Sequence, residues 1–87
     1  MLDISKSYTP KQIAAIMIYL AAKKILADRI AADGWESTDI KHEKEHAGVR
    51  VAITNMNKAG IPSDDVTDII ANWEKFYAVL VERKPLA

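Results

Sequence analysis

The sequence predicts an all-α fold: a three-helix antiparallel bundle, with a six-helix homodimer as its doubled form. Three observations carry that expectation. Apolar residues recur at three- and four-residue spacing along the chain, the segments that carry them open on capping signals and close on glycine or proline, and no β-hairpin signal or internal repeat interrupts them. The expected helices span about 10–32, 38–59 and 63–84, within one domain covering residues 1–87.

The first helix is announced by "SYTPKQ". Thr9 is placed to cap it, Pro10 stands at the first helical position where a missing N–H costs nothing, and Gln12 completes a T-x-x-Q capping box. Gly34 is the expected stop. From Ile13 to Ala22 this helix is apolar on every side, and such a helix is normally surrounded by protein. Two flanking helices do not easily surround it.

Ser37 or Thr38 is the expected start of the second helix, with Asp39 in the first turn where the helix dipole favours an acid. Gly60 is its C′ residue and Ile61-Pro62 prevents continuation. Ser63 is the expected cap of the third helix, which loads Asp64, Asp65 and Asp68 at its start and Arg83 and Lys84 in its last turn. Its stripe of Val66, Ile69, Ile70, Trp73, Phe76, Tyr77 and Leu80 is unbroken, and Trp73 stands at its centre.

Size and composition exclude more than they select. An 87-residue chain buries only about two-thirds of the surface its unfolded form exposes, and with no cysteine it has no disulfide to staple it. Twelve basic residues balance twelve acidic ones, so no overall field recommends nucleic acid or an anionic membrane. The apolar run Ile13–Ala22 is ten residues, half of what a bilayer crossing needs. It does not read as a cleaved signal either, because Tyr19 and Leu20 fall where small residues are wanted and helical patterning continues through Ile25, Leu26 and Ile30.

One motif invites a chemical reading. His42-Glu43-Lys44-Glu45-His46 resembles the H-E-x-x-H signature of zinc proteases, in which two histidines at i and i+4 share a helix face and hold the metal. Lys44 and Glu45 stand where that family carries uncharged residues, Val49 and Ala52 stand where the metzincin extension needs Gly and His, and no other histidine exists to complete the set. "EKEHA" likewise resembles the E-x-x-H segment of ferritin-like proteins, but the first helix has no Glu to supply the bridging carboxylate. The string reads as the solvated first turns of a helix, with His42 and His46 extending the stripe Val49, Ile53 and Met56 at the bundle's end. The segment "NKAGIPSDDVTDII" resembles the turn of a helix-turn-helix DNA reader, yet its acids stand where phosphate-binding residues belong.

The positive signal that remains is apolar surface in excess of what three helices cover. The expectation is a small, non-enzymatic, cytoplasmic helical protein that needs no cofactor and acts by protein–protein contact. Adaptors, inhibitors and accessory or regulatory proteins, such as those of phages and mobile elements, are of this kind. A second copy is the simplest cover, with Met17, Tyr19, Trp35 and Val79 as interface candidates. The runner-up is a metal-binding helical protein using His42 and His46; a helix-turn-helix-like DNA-binding regulator comes after it.

Overall fold

The N-terminal capping box forms as the sequence dictates. Gln12 N–H donates to Thr9 Oγ1 at 3.1 Å, and Thr9 N–H donates back to Gln12 Oε1 at 2.9 Å, so two otherwise orphaned donors are satisfied reciprocally. This starts α1, Pro10–Asp33. The structure, a computed structural model, describes residues 8–33 and 43–83. Among these it is all-helical, with α2 at Glu43–Lys58, α3 at Ser63–Ala71 and α4 at Trp73–Leu80. The expected helix start at Ser37 or Thr38 lies outside the described residues.

The end of α2 is a Schellman closure. Gly60 takes φ 88°, its N–H donates to Asn57 O at 3.1 Å, and the Ile61 N–H reaches back to Met56 O at 3.4 Å. Ile61 and Met56 are both buried in the core, the hydrophobic contact that this closure favours. Gln12 contributes again here, donating from Nε2 to Ala59 O at 3.2 Å and tying the start of α1 to the end of α2. One side chain thus fixes the antiparallel register of the two longest helices.

The expected third helix is two helices. At Asn72 the backbone leaves the helical region, with φ −118° and ψ 31°, while the Asn72 amide donates to Asp68 Oδ1 at 2.8 Å and to Asp68 O at 3.1 Å. The Asn72 N–H keeps its helical bond to Asp68 O at 2.9 Å, so Asp68 holds both the backbone and the side chain of Asn72 at the point where the helix breaks. Two further expectations are corrected. Pro62 occupies the N-cap position of α3 in place of Ser63: its carbonyl accepts the first helical bond from Val66 N–H at 3.0 Å, and no side chain caps the helix because proline carries no side-chain acceptor. Arg83 is not in a last turn but beyond it, in the left-handed region at φ 59°, after α4 ends at Leu80. Lys84 lies outside the described residues.

Packing follows a spine. Helix α1 lies against α2 on one flank and α4 on the other, whereas α2 and α4 scarcely meet. The core fills the angle between them: Ile16, Tyr19 and Leu20 from α1, Ala52 and Met56 from α2, Ile69 from α3 and Phe76 from α4. Trp73 is only partly buried, so Phe76 takes the central place expected of it. Among the described residues this is an open arrangement in which one side of α1 is left exposed.

Candidate interaction surface

The position of each flank of α1 is marked by a contact. Gln12 bonded to Ala59 marks the side facing α2, and Lys24 Nζ lying 5.9 Å from the Tyr77 ring centroid marks the side facing α4. At 3.6 residues per turn, the arc left between them carries Ala14, Ile18, Ala21 and Ile25, with Ile13 and Met17 on its α4 edge. These residues belong in a core by type and stand in solvent instead. Ile18 is 59% exposed and Ile25 54%.

Helix α2 extends the same surface. A groove of about 310 Å³ runs between Lys11, Ala14, Ala15 and Ile18 of α1 and Asn55, Lys58 and Ala59 of α2. Asn55 and Lys58 share a helical stripe with Val51 and Gly48, so those two residues continue the same side of α2. Val51 is 59% exposed, and a Cβ built on Gly48 would meet nothing within 4 Å. Single exposed apolar residues are ordinary on a protein surface; three large β-branched ones on one side of a helix pair are not. The charges lie at the ends, with Lys11 and Lys58 at the groove and Asp28 near the far end of α1, held by Lys24 at 2.9 Å.

The interface candidates fare differently. Tyr19 is corrected: it is 1% exposed inside this single chain, because it faces the junction of α1 with α2, and burial there pushes its phenol pKa upward. Met17 lies on the rim of the apolar arc, and Val79 is half-buried on α4. Trp35 and His42 lie outside the described residues. Sequence reasoning missed Ile18, Ile25 and Val51. Its signal for them was the all-round apolar character of α1, which states that a face is in excess without saying which.

The chemical alternatives gain no geometry. His46 is half-buried on α2, and among the described residues no group of three or more His, Cys, Asp or Glu is gathered as a metal would require. Nearby Glu43 pairs with Arg50 at 3.1 Å on the exposed side. In α3, Asp64 is exposed at the N-terminal end, Asp65 accepts a hydrogen bond from Tyr8 Oη at 3.2 Å, and Asp68 holds Asn72. A second cleft, about 130 Å³, is lined by Lys24, Trp73, Glu74, Tyr77 and Glu82; Trp73 meets Tyr77 edge-on at 6.4 Å, so its aromatic wall is spent on internal packing.

No helix among the described residues is long and apolar enough to cross a membrane. Comparisons with protein-family models, with curated proteins and with solved structures find nothing that matches this chain.

Proposed function

We propose that this chain is a small non-enzymatic binding protein of the cytoplasm that acts through protein–protein contact, as an adaptor, inhibitor or accessory regulator, using the outer face of α1 and α2. The observation that carries this reading is the exposure of Ile18, Ile25 and Val51 on one side of the helix pair. Burying three such side chains against a partner removes apolar area from water at about 25 cal/mol per Å², whereas leaving them in water invites non-specific association. Among the described residues α2 and α4 flank α1 and leave that face open, and a doubled, six-helix assembly is one way of covering it.

The test is site-specific photo-crosslinking in the native cell, with the reactive side chain at position 18 and, as a control, at Thr67, an exposed position on α3. The expected result is a discrete adduct from position 18, to whatever protein covers it, that disappears on Ile25→Glu. Equal labelling from both positions would overturn the reading.

A further inference from the structure

The exposed face of α1 carries a seven-residue repeat of its own, as its buried face does through Ala15, Tyr19, Ala22 and Leu26. Lys11, Ala14, Ile18, Ala21, Ile25 and Asp28 are separated by three, four, three, four and three residues, the a/d spacing of a seven-residue repeat, and the stripe is about 25 Å long. Its apolar centre alternates small and large, alanine with isoleucine. Its ends carry opposite charges. A stripe with these properties is complementary to its own reverse.

We propose that the partner on this face is a second copy of the chain, packed antiparallel about a two-fold axis that passes between residues 19 and 20. In that register Ile18 packs on the partner's Ala21, Ile25 fills the space over the partner's Ala14, and Lys11 meets the partner's Asp28. Every relation is repeated by the two-fold, so six pairs form from three. Each isoleucine meets an alanine, which lets two helices approach closely while large side chains fill the gaps. The charges favour the same register. Lys11 and Lys58 line one groove, and the partner's Asp28 arrives beside it with its own Lys24 at 2.9 Å, so its second carboxylate oxygen faces two further ammonium groups. A parallel pairing would instead set Lys11 against the partner's Lys11 and each isoleucine against its own image. Val51 flanks the middle of the seam and adds apolar area from α2.

This inference rests on the interaction reading above and narrows it to self-association, so the experiment must separate the two. Sedimentation equilibrium on the full chain is expected to give twice the chain mass at micromolar concentrations, the range for a seam of one helix per copy. Ile18→Glu is expected to halve that mass while circular dichroism keeps its helical signal. Lys11→Glu or Asp28→Lys alone should weaken association by about tenfold, and the double exchange should restore it, because each single change sets like charges together at both ends. Because the chain has no cysteine, Ala14→Cys with Ile25→Cys is expected to give a covalent dimer on mild oxidation. The two sites are about 16 Å apart along one helix and cannot bridge within a chain. Ala14→Cys alone should give none. A covalent dimer from Ala14→Cys alone would indicate parallel pairing and overturn the register. A monomeric mass throughout would overturn self-association, and an adduct to a foreign protein at position 18 would then leave the broader reading standing. Monomeric mass with no adduct would sink both.

Discussion

The two sides of α1 are built from the same residues and meet opposite fates. Ile16 and Leu20 are 1% and 0% exposed, while Ile18 and Ile25, two and five positions further on, are more than half in solvent. The difference is not hydrophobicity. It is the number of neighbours: α1 has α2 on one flank and α4 on the other, and nothing among the described residues covers the third side. An all-round apolar helix therefore states how much surface must be covered, and its neighbours decide which side is covered within the chain.

The largest test of that contrast is a matched pair of truncations, read by chemical denaturation at dilute concentrations where copies do not pair. Leu20→Ala is expected to lose about 2–5 kcal/mol, because the cavity opens in the middle of the core. Ile18→Ala is expected to lose less than about 1 kcal/mol, since the removed methyls were in water. Equal losses would mean that the outer face is buried in the folded unit, and the comparison would collapse.

A second pair asks the same question of the C-terminal helices. Phe76→Ala should cost about 3–5 kcal/mol, whereas Trp73→Ala, at a side chain only partly buried against the core and edge-on to Tyr77, should cost less, about 1–2. The reverse order would restore Trp73 to the central place that the sequence stripe gave it.

How much of this was legible depends on how local the cause is. The Thr9–Gln12 box and the Gly60 stop are readable because the residues that make them are three apart or adjacent. The break at Asn72 is not. Apolar spacing runs unbroken from Val66 to Leu80, and spacing does not record the Asn72 side chain folding back onto Asp68. The same limit applies to the surface. With apolar residues on every side of α1, no periodicity chooses between Tyr19 and Ile18; contacts with α2 and α4, distant in sequence, make that choice. The excess was legible and its location was not. Its heptad order becomes visible once the buried positions are removed from the pattern.

Tyr19 provides a titratable probe of the inner face. Burial raises its pKa above the ordinary value of 10.0, so the folded chain holds the proton after the unfolded chain has released it. Stability from this group is therefore fully present below about pH 10 and is lost as pH rises through the folded pKa. Tyr19→Phe keeps the ring and removes the hydroxyl, and it is expected to flatten the alkaline limb of a stability–pH curve while leaving neutral stability little changed. An unaltered alkaline limb would show that Tyr19 is not sealed in the core.

The smallest effect expected is a gain, and it locates the edge of the outer face. Gly48 sits inside α2, where glycine costs about 0.5–1 kcal/mol relative to alanine through backbone freedom lost on folding. Nothing within 4 Å opposes a methyl group at that position. Gly48→Ala should therefore raise the unfolding free energy by about 0.5–1 kcal/mol in dilute solution. The informative step is to repeat the measurement at concentrations where copies pair. A seam centred on Ile18 and Ala21 of α1 leaves Gly48 on its flank, so the same gain should persist. A gain that vanishes on association would mean that the partner presses against α2 at Gly48, moving the axis of the pair from α1 toward the groove it shares with α2.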